Sequence, residues 1–224
     1  MTISVDTRFR GPRASGNGGY VCGLVAGLAG GDAEVTLRLP PPLERPLRVE
    51  RAGGTVSVLD GEDVVAEARP ARLELDLPSP VSFSDATAAA LPHGDPESPF
   101  PECFVCGRDR DDGLRIFPGP VPGRELVAAP WIPDATTIGP EFVWAALDCP
   151  GAYGAGAVGR GAVVLGRLAA HVEALPEPGE RCVVLGWSLG EDGRKLYAGT
   201  VLRGEDDRLL GHGRATWILP RPSS

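Results

Sequence analysis

Two stretches of this chain are apolar on every side of any helix they could form, and this limits the possible folds more than any other feature. Tyr20 to Leu28 holds no charged residue, and Phe142 to Leu147 is apolar throughout. A helix on a protein surface keeps a polar face, so a helix without one has to be enclosed. The first stretch opens with Asn17-Gly18-Gly19 and closes with Gly30-Gly31, residue types that start and stop helices. The second runs to Asp148 and then meets Pro150-Gly151, where a helix must kink or end.

The segments following each helix, and two ahead of the second, read as strands. Glu34 to Leu39 and Leu47 to Arg51 alternate with period two on either side of Pro40-Pro41-Pro42. Gly53-Gly54 then turns into Thr55 to Leu59, and Asp60-Gly61 turns into Val64 to Ala68 as a hairpin. The second half has strand-like runs at Leu114 to Phe117 and Glu125 to Ala129 ahead of its helix. After it come Val163 to Ala174, Cys182 to Leu189, Lys195 to Arg203 and Leu209 to Leu219. An antiparallel sheet curling around each apolar helix supplies the enclosure, so an α+β fold of two tandem repeats is expected. Gly and Pro number 31 and 23, while 42% of the residues are hydrophobic, so the breakers punctuate many short elements and do not signal disorder. Prolines are densest over 78–102, which reads as a linker between an N-terminal repeat, 1–77, and a C-terminal repeat, 103–224.

Charge and cysteine content exclude several functions. The formal charge is −8, from 22 basic and 30 acidic residues. No Lys/Arg cluster offsets it, so nucleic acid is not an expected partner. No apolar run reaches the roughly 20 residues of a membrane helix. The first residues lack the apolar middle of a secretory signal, and the five cysteines are odd in number. A reducing cytoplasm with free thiols is therefore expected, with no membrane partner.

The pattern resembles the acyl-CoA thioesterase superfamily of the hotdog fold, in its double-hotdog form. Asn17-Gly18-Gly19-Tyr20 is similar to the His-Gly-Gly turn that starts the central helix. Val35 to Glu50 is similar to the strand, proline corner and strand that follow. Cys103-Phe104-Val105-Cys106-Gly107 through Arg115 is similar to the opening segment of small bacterial thioesterases, and Ala146 to Gly151 to their acid-bearing helix. The resemblance implies hydrolysis of an acyl-CoA or acyl-carrier thioester by a helix carboxylate that activates water or attacks directly. It also implies an oxyanion held by a backbone N–H at a helix start, with no cofactor and no metal. Paired hotdogs make a homodimer possible, although two repeats in one chain could satisfy that pairing internally.

The resemblance places the acid nine positions beyond the His of His-Gly-Gly. Asp148 stands nine positions beyond Gly139, so Gly139-Pro140-Glu141 occupies the turn, and Pro140 has no N–H to donate. Ala26 stands nine beyond Asn17, so the first repeat keeps the donor turn and lacks the acid. Neither half is complete. A composite site would use Asp148 as the catalytic residue and Asn17, Gly18, Gly19, Tyr20 and His171 to bind substrate. The alternative is an acyl-ligand binding or assembly protein that does not cleave. A hydratase of the same fold would need an Asp and His pairing that is not recognisable here.

Other residues are read as structural. Cys103-x-x-Cys106 is half a zinc knuckle, with His93 upstream, but a tetrahedral site takes four ligands and no second pair follows. Cys149 has no base placed by sequence and reads as a buried thiol. His212 reads as a surface or satisfied histidine with pocket lining as the alternative, Tyr153 as packing with a polar tip for a pocket as the alternative, and Phe142 and Trp144 as core. Arg108, Arg110, Arg160 and Arg167 are possible contacts for CoA phosphates.

Overall fold

The computed structural model describes residues 1–221. Helix α1 spans Gly18–Ala29; the Asn17 side chain accepts from the Tyr20 N–H at 2.9 Å, and Gly30 ends the helix in the left-handed conformation at φ 96°. Both ends fall where capping chemistry puts them. The strands before and after it are β1 (Thr2–Ile3), β2 (Ala33–Leu37), β3 (Leu47–Ala52), β4 (Thr55–Asp60) and β5 (Asp63–Pro70). Alternation along β3 buries Leu47 and Val49 and leaves Arg48 and Glu50 in water. Gly53, Gly54 and Gly61 turn the two hairpins with positive φ.

Further along are α2 (Phe83–Ala89), β6 (Gly119–Pro120), β7 (Val127–Trp131), α3 (Pro140–Ala146), α4 (Cys149–Gly154), β8 (Val164–Val172), β9 (Cys182–Asp192), β10 (Lys195–Arg203) and β11 (Leu209–Ile218). All eleven strands form one sheet in the order β1-β3-β4-β5-β2-β8-β11-β10-β9-β7-β6. The first five strands meet the last six at the antiparallel β2–β8 pair, with Val35 opposite Leu168.

Helices α1 and α3 pack against each other and share one large hydrophobic cluster with both groups of strands. They approach closely because α1 presents glycines. A Cβ on Gly19 would lie 2.5 Å from Cβ of Asp148, and one on Gly23 would lie 2.6 Å from Cα of Glu141. Moving forward along α1 therefore moves backward from Asp148 to Glu141, so the helices are antiparallel. The start of α1 meets the end of α3.

Two expectations are corrected. Leu114 to Phe117 is not a strand: its backbone folds back on the preceding loop, with Leu114 N–H donating to Phe104 O at 2.8 Å and Ile116 N–H to Val105 O at 2.9 Å. The segment 78–102 is more than a linker, because it holds α2. Ser82 caps that helix by accepting from Asp85 N–H at 3.0 Å. Val81 and Ala86 close a second small core with Ala128 of β7 and Val183 and Leu185 of β9. The prolines flank this helix and leave its Ala-rich centre free to form.

Candidate active site

Pro150 decides where the acid goes. It falls in the first turn of α4, where its missing N–H costs nothing, but it cannot continue α3. The chain breaks at Asp148, whose backbone is non-helical (φ −75°, ψ −83°), and the side chain reaches the start of α1. There Asp148 Oδ2 accepts from the Gly19 N–H at 2.9 Å and from Asn17 Nδ2 at 2.8 Å. Oδ1 is buried and has no partner among the described residues. Asn17 thus has two functions, capping α1 with its oxygen and gripping Asp148 with its nitrogen.

Asp148 is 2% exposed, and burial pushes its carboxyl up to about 7. The Gly19 N–H opposes the rise, the Cys103 sulphur adds to it, and Asn17 again opposes it. Desolvation outweighs both hydrogen bonds and the positive end of the α1 dipole. The Gly18 N–H, at the first helical position, has no partner among the described residues.

Asp148, Asn17 and Gly18 all border a cavity of about 890 Å³, which falls in the range of small-ligand sites. Its wall also includes Gly16, Pro41, Phe100, Tyr153, Leu165 and Trp217, so both halves of the chain contribute. The Trp217 Nε1 is a buried donor without a partner among the described residues. Cys103, Cys106 and Cys149 stand in the same wall. The Cys106 and Cys149 sulphurs are 3.1 Å apart, and those of Cys103 and Cys149 are 3.8 Å apart. Bonds from Cys106 and Cys149 hold the Cys103 thiol well below the usual thiol range.

The structure brings Asn17, Gly18, Gly19 and Asp148 together. Two of the expected binding residues lie elsewhere. The Tyr20 ring stacks on Phe9 at 4.0 Å and packs edge-on toward Phe104, in an aromatic cluster outside the cavity lining. Its position one turn into α1 rotates it away from the cavity. His171 sits in β8 opposite the residue just ahead of β2, where Nδ1 meets Asp32 Oδ2 at 2.5 Å and Nε2 meets Glu173 Oε2 at 2.9 Å, and it too is outside the lining. Strand alternation gave His171 one of two faces, and the ion pairs take it to the solvent edge. Arg108, Arg110, Arg160 and Arg167 each pair with an acidic residue. Phe100 and Trp217 were not anticipated as lining residues, and Tyr153 was read as packing ahead of a polar tip for a pocket. Each is an aromatic residue near a chain break or strand end, and no local pattern separates it from core.

No protein-family profile and no curated protein matches the chain. Solved structures do. An acyl-CoA thioesterase II from Mycobacterium marinum is 14% identical at a TM-score of 0.55, covering 92% of this chain and 91% of that one. A hotdog-fold protein of unknown function from Alicyclobacillus acidocaldarius is 12% identical at 0.59, covering 99% and 93%. The dehydratase domain of a mycocerosic acid synthase-like polyketide synthase is 14% identical at 0.59, covering 99% and 91%. Two of these neighbours are named for different activities, and what all three share with this chain along nearly its whole length is the hotdog fold.

Proposed function

We propose that the protein hydrolyses an acyl thioester, with Asp148 as general base. The observation that carries this reading is the split environment of the carboxylate. One oxygen is fixed by Asn17 and Gly19, and the other is unpaired in a residue of the cavity wall. A water entering from the cavity beside Asp148 gives its proton to the carboxylate as its oxygen attacks the thioester carbon. The carbonyl oxygen becomes an oxyanion, for which the Gly18 N–H at the positive end of α1 is the available donor. Collapse breaks the carbon–sulphur bond, and the departing thiolate takes the proton from Asp148. The products are the acid and the free thiol. The largely apolar wall suits an acyl chain.

The sheet order, with one helix set against each group of strands, also supports reading the chain as two hotdog units, 1–77 and 103–224, joined by 78–102. A binding protein that does not cleave is favoured by one observation: the Gly19 N–H is already taken by Asp148. The test is an acyl-CoA panel assayed with wild type and Asp148→Asn, alongside equilibrium binding of the same ligands. Hydrolysis lost in the variant with binding retained supports the enzyme. Binding without turnover in the wild type, on every chain length, refutes it.

A further inference from the structure

Outside the carboxylate, the most concentrated chemistry in the molecule is the group of three thiols. Cys103, Cys106 and Cys149 have sulphurs all within 4.8 Å of one another, and all three residues are buried. The other two cysteines, Cys22 and Cys182, are buried apart from this group. The sequence offered only one C-x-x-C pair because the third sulphur arrives 43 residues later, in the first turn of α4.

The loop that carries Cys103 and Cys106 is a tight turn. The Gly107 N–H closes the turn on Cys103 O at 2.8 Å. A Cβ on Gly107 would lie 2.4 Å from that oxygen, so the tight turn requires glycine. Asn17 Nδ2 lies 3.7 Å from the Cys103 sulphur, an N–H donor directed at it. N–H donors around a sulphur favour the thiolate, the form that binds metal.

The spacing fits a small soft cation. Two thiolates on a tetrahedral zinc, each at about 2.3 Å, lie about 3.8 Å apart. The Cys103–Cys149 separation is 3.8 Å, and the Cys106–Cys149 pair, at 3.1 Å, would spread by about 0.7 Å. Three sulphurs in contact cannot all be thiolates without a cation between them. All three residues border the cavity, which leaves a fourth coordination position for water or a ligand from that side.

We propose that Cys103, Cys106 and Cys149 form a three-thiolate site for a thiophilic d10 cation, with zinc(II) as the fitting case. Each sulphur that binds releases its proton to the buffer, and no redox step is involved. The ion ties the 103–107 loop to the first turn of α4, and so stiffens the wall beside Asp148. This inference does not depend on thioester hydrolysis.

The test is titration of the reduced full-length protein with cobalt(II), followed by displacement with zinc(II). The expected result is thiolate-to-cobalt charge-transfer absorption that saturates at one ion per chain and is bleached by zinc. Cys106→Ser and Cys149→Ser should each lose it, while Cys182→Ala keeps it. Zinc should raise the melting temperature of wild type and leave Cys149→Ser unshifted. Absence of charge transfer in reduced wild type overturns the proposal. So does an undiminished signal in Cys149→Ser, or a Cys106–Cys149 disulfide that forms in air in a protein binding no cobalt after reduction.

Discussion

The two enclosed helices begin differently, and the difference divides the chemistry between them. Helix α1 starts with Asn17-Gly18-Gly19, capped by a side chain and rich in N–H donors, and carries Ala26 where an acid would be needed. Helix α3 starts with Gly139-Pro140-Glu141, has no side-chain cap and offers no N–H at its first position, yet its far end delivers Asp148. Antiparallel packing sets the donor end of one against the acid-bearing end of the other.

The strongest challenge to this division is Asp148→Asn, which keeps the shape and removes the base. Thioester turnover should fall by about 10²–10⁴-fold, read as kcat/KM on a preferred acyl-CoA. Unchanged turnover would mean that α3 does not supply the base. Next in size is Gly19→Ala. Its methyl would meet Asp148 Cβ at 2.5 Å and Trp144 O at 2.7 Å, so the helices must separate. A loss of about 1–3 kcal/mol in urea unfolding is expected, accompanied by a drop in activity.

Asn17→Ala removes the α1 cap and one of the two hydrogen bonds on Asp148 Oδ2. The expected cost is about 0.5–2 kcal/mol from the cap. The companion Asn17→Asp keeps the cap but sets a second carboxyl against Asp148, so its activity should fall further than its stability. Smaller still is Gly27→Ala, on the exposed part of α1, where an added Cβ meets nothing within 4 Å. It should gain about 0.5–1 kcal/mol from helix propensity. The contrast with Gly19 two turns earlier isolates close packing from propensity. The smallest expected effect is that of Pro140→Ala. It restores an N–H at the start of α3, far from the cavity wall, and kcat/KM should stay within error of wild type. A marked change would return the α3 start to the reaction.

Much of the fold could be read from local chemistry. The Asn17 and Gly30-Gly31 signals bracket α1 to within a residue or two, and the glycine turns before β4 and β5 mark both hairpins. Pro150 was expected to break the second helix, and it does. Proline density hid α2, because the prolines flank that helix without entering it. Leu114 to Phe117 alternates like a strand, but its partners are in the loop at Phe104 and Val105. The Asn17-Gly18-Gly19 turn could be read as a helix start from its residue types, whereas Asp148 was singled out only through the resemblance to an acid-bearing helix. His171 and Tyr20 lie outside the cavity lining, because the direction of a side chain depends on its neighbours across the fold.

The sequence alone determined that two helices must be enclosed and where they start and stop. These properties follow from period, capping and proline geometry within a few residues of each position. Only the tertiary structure decided that Asp148 meets Gly19 and Asn17, about 130 residues away, and that Cys149 joins Cys103 and Cys106. Those contacts depend on how closely two helices pack and on which ends face each other. That is set by glycines on one helix and a chain break in the other, acting across the whole core.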